Sequence, residues 1–422
     1  METKLRDEYK TSRILYIIEA ALEYFIAIAV GGVYLATIAS SVGLSTEQTG
    51  ILTSFVSLGC GFQIVALFVA HKRPVKGWVT AFHILSQLLF SLVYFVPVLP
   101  ISKLAQTIIL VVSLLLAHFV HNAINSPKIN WFMSLVSEEK RGRFTANKEI
   151  VSLLGGMAFS YLLGLLMSSL DGEKANTGFV ICGVIILFLT GLHTLTLVFA
   201  KEKPSGETKK INYKEIFSLF KNKTILKVIL VFVLWNVASY ITTSYMGAYQ
   251  VNDLEFSTDF ASIIVIVGST ARAIVSRPIG KFADKFSFCK MLYFCFGIEV
   301  LAFACAVFIT PSNGSYMYFV YYILYCIGCA GINSAIINLI YDYVDTDKRT
   351  VALALVNTAA GFAGFFATLA VSPLVGYIQG QGNLIFGMKM HAQQLLAAIS
   401  AVAIVGILVY LVLVISKLKK HR

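Results

Sequence analysis

The sequence predicts an all-α integral membrane protein of twelve transmembrane helices, arranged as two pseudo-symmetric six-helix bundles. Three observations predict it: an apolar composition too rich for a soluble core, twelve hydrophobic runs of membrane-crossing length, and an internal repeat relating the last six runs to the first six. Apolar residues make up 57% of the 422 and charged residues only 13%, a balance outside that of soluble domains. Hydrocarbon accepts such surface, because a helix of about 20 apolar residues spans the roughly 30 Å core while satisfying its own backbone hydrogen bonds.

The runs lie near 13-40, 46-71, 77-97, 103-134, 145-169 and 177-200 in the first half, and near 226-252, 258-283, 288-311, 315-342, 350-378 and 389-417 in the second. Residues 1–13 are polar, and the run after them is longer than a signal-peptide core and has no small-residue cleavage site. The first span is therefore expected to be retained. Orientation follows from Lys and Arg, which short cytoplasmic loops keep. With an internal N-terminus the cytoplasmic segments hold 28 of them, against three outside, Lys103, Lys174 and Lys389. The net charge of +12 is then a topology signal rather than a nucleic-acid footprint. It predicts a multi-pass protein of the cell membrane with both termini cytoplasmic, the lipid bilayer as its surroundings and no nucleic-acid partner.

The seven cysteines fall inside or at the ends of spans, so no disulfide framework is expected. Cys326 and Cys329 form a CxxC, read here as two small core residues rather than a redox or metal site.

The repeat is explicit. Residues 124-130 read INSPKIN and residues 332-338 read INSAIIN; the same offset of 208 superposes Val136 on Val344, Glu139 on Asp347, Lys140 on Lys348 and Arg141 on Arg349. A weaker match pairs Ser45-Thr46-Glu47 with Ser257-Thr258-Asp259, each placing a hydroxyl and an acid where a helix N-terminus favours them. Six spans followed by six related spans in the same orientation imply two bundles about an axis along the membrane normal.

On these residues the chain resembles the major facilitator superfamily over essentially its whole length. Gly280, Asp284 and Lys285 look like that family's loop between spans eight and nine, a Gly followed four later by an Asp and then a basic residue. Ser287 stands where the family has a Gly, and the first-half loop His71–Lys76 lacks both the Gly and the Asp. Glu138–Arg143 and Asp345–Arg349 look like the family's acidic-then-basic loops after spans four and ten. The resemblance implies alternating access, with two halves rocking around a cavity lined by spans one, four, seven and ten, and Gly280, Asp284 and Lys285 as a gating loop. The expected division is a bundle over 1–200, a linker over 201–227 and a bundle over 228–422. In the linker, Ile216, Phe217, Leu219 and Phe220 among lysines suit a short helix at the headgroups, an unstructured basic loop being the alternative.

Chemistry is sought at polar groups inside the spans, where each ionised residue costs roughly 2.5–3.5 kcal/mol on insertion scales. Glu19 and Glu23 share one face of span one, and Glu23 lies about 15 Å beyond Arg13, near mid-bilayer. Two adjacent carboxylates in low dielectric resist double ionisation, the property a proton-coupling site needs. Pairing with Lys128, Lys148 or Arg272 as a structural bridge is the competing reading. Arg272 sits roughly 12 Å inside the end of span eight, too deep to snorkel easily, and needs either a substrate anion or an internal acid such as Glu23 or Glu299. Lys128, nearer the cytoplasmic end, is expected to snorkel.

Span four carries His118, His121, Asn122 and Asn125 as a polar stripe; span seven carries Asn236, Tyr240, Thr243 and Gln250; span ten carries Asn333, the repeat partner of Asn125. Facing inward, with Trp131 and Trp235 near in sequence, they would bind a small hydroxylated solute through amides and aromatic rings, and facing neighbouring helices they would be packing glue. No third ligand joins His118 and His121, so no metal is expected, nor any cofactor. Gly155, Gly156 and Gly164, with Ala360, Gly361, Gly364 and Pro373, are expected to allow close helix packing. The chain is thus expected to be a monomeric, proton-coupled secondary transporter of a sugar- or glycoside-like solute. A proton-driven drug or metabolite exporter is the alternative. A membrane receptor or enzyme ranks last, since no hydrolytic motif or sizeable soluble domain is present.

Overall fold

The computed structural model describes residues 8–69, 74–137, 141–203, 221–344, 349–385 and 387–418. Most of the linker, the loop at 71–73 and the charged segments at 138–140 and 345–348 lie outside the described residues. Among these, eleven helices are long and apolar enough to cross a membrane, twelve when one bent pair is taken as a single span. That pair, Lys10–Ala29 and Gly32–Ser41, is span one. Span two is broken into Thr46–Thr53, Phe55–Gly61 and Gln63–Val69. The others are Lys76–Phe95, Lys103–Ser134, Arg141–Ser169 and Ala175–Phe199, then Lys223–Ala248, Thr258–Lys285, Phe288–Val307, Gly314–Tyr343, Arg349–Gly380 and Ala392–Leu413. A two-stranded ribbon, Leu384–Ile385 with Met388–Lys389, precedes the last span.

Local sequence sets the ends of these helices. Ser45 caps span two in a capping box: its hydroxyl accepts from the Gln48 amide and the Gln48 side chain accepts from the Ser45 amide, with Glu47 in the first turn, as a helix start favours. Asp259 occupies the first turn of span eight. Asn222 accepts from the Thr224 and Ile225 amides to start span seven. Span one breaks where Gly32 adopts φ +51°, left-handed backbone that glycine reaches without a Cβ penalty, and its two segments meet at 43°. Span seven ends in a π turn, Tyr249–Asp253.

The described residues divide into two compact units. The first takes Met1–Gly43, Phe62–Ile211 and Ser257–Ser262. In it span one packs on spans five and six, and span three on spans four and six. Gly155 and Gly156 allow the first contact, because a Cβ there would run into the rings of Phe25 and Tyr24. Tyr16 stacks on Phe132 with ring centroids 4.3 Å apart, in a core with Val79, Trp131 and Leu197.

The second unit takes Leu44–Gly61, Asn212–Phe256 and Ile263–Arg422. Span seven packs on spans eleven and twelve, and span nine on spans ten and twelve, the same pairings six spans later. The expected duplication is therefore visible in the packing. Residues 46–61 lie against span eleven, where a Cβ on Gly361 would meet backbone at Ser57 and Gly61 and the Ser57 hydroxyl donates to the Gly361 carbonyl at 2.9 Å.

Candidate functional site

A chain of titratable side chains runs through the interior of the first unit. It starts on span one, whose helical period stacks Glu19 and Glu23 one turn apart. Glu19 is fully buried and Glu23 half-buried. Span four supplies Lys128 and His121, two turns apart on one face and separated by Pro127. The Lys128 ammonium is 2.8 Å from Glu19 Oε1 and also donates to Glu23 Oε2; His121 Nε2 lies 3.3 Å from Glu23 Oε1. Span six adds His193, whose Nε2 is 3.0 Å from Glu19 Oε1, and span three adds His83, whose Nε2 shares a hydrogen bond of 2.9 Å with His193 Nδ1. Both of these imidazoles are buried, at 1% and 0% exposure. Glu19 Oε2, His83 Nδ1 and His121 Nδ1 have no hydrogen-bond partner among the described residues.

Of the two expectations for Lys128, snorkelling is corrected and pairing with the span-one acids is what is found: it is 3% exposed and held by Glu19 and Glu23. Two carboxylates at its own depth offer a counter-charge that reaching the headgroups would forgo. A separate set of metal-type donors, which includes neither His118 nor His121, is formed by Glu19, Glu23, His83 and His193, whose donor atoms lie within 4.8 Å of one another. The Lys128 ammonium, held by both carboxylates, already supplies the positive charge a metal would bring there. We therefore do not assign the set to a metal.

The rest of the span-four stripe surrounds this chain. The His118 ring meets Phe90 edge-on at 4.9 Å; Asn122 donates to the His118 carbonyl at 2.9 Å and accepts from Gln63 at 3.2 Å; Asn125 is half-buried. Trp131, near this stripe in sequence, is a core residue, its indole donating to the Lys201 carbonyl at 3.0 Å.

Asn236, Tyr240, Thr243, Gln250, Arg272 and Asn333 belong to the second unit. Asn236 and Thr243 spend a donor on carbonyls four residues back in their own helix, Phe232 and Ser239, at 3.0 Å each. Gln250 donates to the Tyr318 hydroxyl at 2.6 Å, Tyr240 lies beside Gly364, and Asn333 is exposed. Trp235 packs on Phe296 at 5.6 Å, again as core. Arg272 is half-buried and makes no ion pair among the described residues. The expected partner Glu299 is fully buried and faces Gly328 and the Cys329 thiol on span ten instead. Gly280, Asp284 and Lys285 lie in the last two turns of the span-eight helix, Asp284 and Lys285 exposed, and Ser287 caps the next helix through the Lys290 amide at 3.1 Å.

His83 and His193 are the two residues that sequence reasoning passed over. A stripe marked each of them: Thr80, His83 and Gln87 on span three, and Thr190, His193 and Thr196 on span six, all buried.

The family described as Major Facilitator Superfamily matches residues 17–368. Comparison with curated proteins finds no match in sequence. Among solved structures, the nucleoside transporter NupG is similar with a TM-score of 0.68 at 16% identity, covering 98% of this chain and 100% of that one. A D-xylose-proton symporter gives 0.71 at 12% identity over 94% and 97%. A bacterial homologue of the iron transporter ferroportin, inward-facing, gives 0.66 at 13% over 98% of each. At these identities the likeness is one of fold.

Proposed function

The chain belongs to the major facilitator superfamily, and from that premise we propose that it is a secondary active transporter of a small polar solute, sugar- or nucleoside-like, coupled to protons through Glu19 and Glu23. As a multi-pass transporter of that family it moves a small molecule and is not an enzyme. One observation carries the coupling: two carboxylates share a single ammonium in the interior of the first unit. With both acids ionised and the imidazoles neutral, that cluster holds one uncompensated negative charge, and a buried charge is costly unless compensated. One proton cancels it. Taking up and releasing one cation is what coupling to a proton gradient requires.

Solute contact in this reading falls to His118, His121, Asn122 and Asn125 on span four, and to Asn236, Tyr240, Thr243, Gln250, Asn333 and Arg272 in the second unit. Amide, imidazole and phenol groups suit hydroxyl-bearing solutes, and the fold-level likeness to a nucleoside transporter and a xylose-proton symporter points the same way. Residues 1–200 and 228–422 act as the two moving halves, with Gly280, Asp284 and Lys285 at a gate. In this reading the protein works as a monomer in the cell membrane with both termini cytoplasmic, an orientation that the Lys and Arg distribution supports.

The test is uptake by proteoliposomes across a panel of pentoses, hexoses and nucleosides, with and without an imposed pH gradient. Accumulation of a panel member only with the gradient is expected, and Glu23→Gln is expected to keep downhill exchange while losing accumulation. Gradient-driven accumulation at the wild-type level in Glu23→Gln would remove the coupling role. Binding of lipophilic cations with no transport of the panel would replace this solute class with that of an exporter.

A further inference from the structure

We propose that His83 and His193 are a proton relay that feeds Glu19, so that the coupling proton reaches the carboxylates sideways, through spans three and six. This rests on the coupling reading above and adds the route. The hydrogen bonds fix the arrangement. A carboxylate only accepts, so His193 Nε2, 3.0 Å from Glu19 Oε1, carries a hydrogen; a neutral imidazole holds only one. His193 Nδ1 is then an acceptor, so the hydrogen in its 2.9 Å bond to His83 Nε2 sits on His83. That leaves His83 Nδ1 with a bare lone pair, and this is the atom that has no partner among the described residues.

An incoming proton bonds to His83 Nδ1. The His83 Nε2–H bond breaks as its proton passes to His193 Nδ1, and the His193 Nε2–H bond breaks as its proton passes to Glu19 Oε1. One proton enters, one O–H forms, both rings end neutral with their tautomers exchanged, and no electron changes hands. The charge of the Glu19–Lys128–Glu23 cluster falls from minus one to zero. Packing alone accounts for two buried rings with centroids 4.1 Å apart at 82°, but not for an orphaned nitrogen at the head of a continuous donor–acceptor chain ending on a carboxylate. The groups facing these rings are Glu19 and Glu23 from span one, with His121 and Lys128 from span four; His121 lies 6.4 Å from His83 between ring centroids.

The experiment needs no solute, since the proton is the probe. Full-length protein in lipid nanodiscs, labelled with nitrogen-15 histidine, is titrated by solid-state NMR, and proton uptake after an acid jump is timed with a pH dye. On acidification His83 and His193 are expected to exchange tautomers together. His83→Phe is expected to take up the wild-type number of protons at a rate lower by on the order of 100-fold, the usual loss when a positioned proton-transfer group is removed. His83→Gln serves as the second variant, and the wild-type spectra decide if neither folds. Tautomers that stay fixed through the titration, or an unchanged uptake rate in either variant, overturn the relay alone, provided Glu19→Gln and Glu23→Gln abolish uptake. Unchanged uptake in those two carboxamide variants overturns the coupling reading and the relay with it.

Discussion

Replacing Lys128 by methionine keeps the length and apolar bulk of the side chain and removes only the ammonium. Lys128 is 3% exposed and is held by Glu19 and Glu23, so its loss leaves two buried carboxylates with only the His193 and His121 imidazoles beside them. Breaking a buried pair by removing one partner costs about 3–5 kcal/mol. Here one ammonium serves two acids, which puts the expected loss at the upper part of that range. At about 2–4 °C per kcal/mol for domains of this size, the melting temperature should fall on the order of 10 °C. The buried free cysteines Cys182, Cys295, Cys326 and Cys329 report it, because a thiol-reactive dye labels them only as the helices separate. The triple variant Lys128→Met with Glu19→Gln and Glu23→Gln should regain most of the loss, since removing all partners leaves no unpaired charge. A single-variant loss below about 1 kcal/mol, the range of solvated surface pairs, would refute the claim that this cluster is buried and interdependent.

Gly155→Val puts two methyl groups into the Phe25 ring and should cost about 1–3 kcal/mol of stability, read as a lower midpoint in the same thiol assay; an unchanged midpoint would mean that spans one and five are not in close contact. Glu299→Leu should raise stability by about 1–3 kcal/mol, because it removes a fully buried carboxyl that has no ion-pair partner among the described residues and only the weak Cys329 thiol beside it, and a lower midpoint would show that the contact with Cys329 outweighs that cost. Arg272→Gln should change stability by less than about 1 kcal/mol, as it breaks no ion pair found among the described residues, yet weaken solute binding in the uptake assay. A large drop in midpoint with unaltered affinity would make Arg272 structural instead.

The spans, the duplication and the helix starts were legible because each is written locally. Ser45-Thr46-Glu47 and Ser257-Thr258-Asp259 are signals within three residues, and the INS motifs at 124 and 332 fix the six-span period that reappears in the packing. The charge cluster was legible only in part. Glu19 and Glu23 announce themselves as two costly residues one turn apart on the same helix, so their nearness needs no tertiary information. Which cation answers them does not follow from one helix, and Lys128, next to Pro127, read as a headgroup residue because depth alone favoured that. His83 and His193 were harder still: they meet only because span three packs on span six. On span seven, Asn236 and Thr243 form a polar stripe on a helical wheel, and each also gives a hydrogen bond to its own backbone, a use that the residue pattern alone does not announce.

The break at Gly31 and Gly32 divides span one into two levers with different jobs. The longer lever carries both acids. The shorter one is anchored by the Tyr34 hydroxyl, which donates to the Ser160 carbonyl at 2.5 Å and pairs with the Ser262 hydroxyl at 2.7 Å. The joint between them passes through the left-handed backbone of Gly32, which a Cβ strains. Gly32→Ala would therefore disturb the angle at which the acids are carried without touching a single charged group.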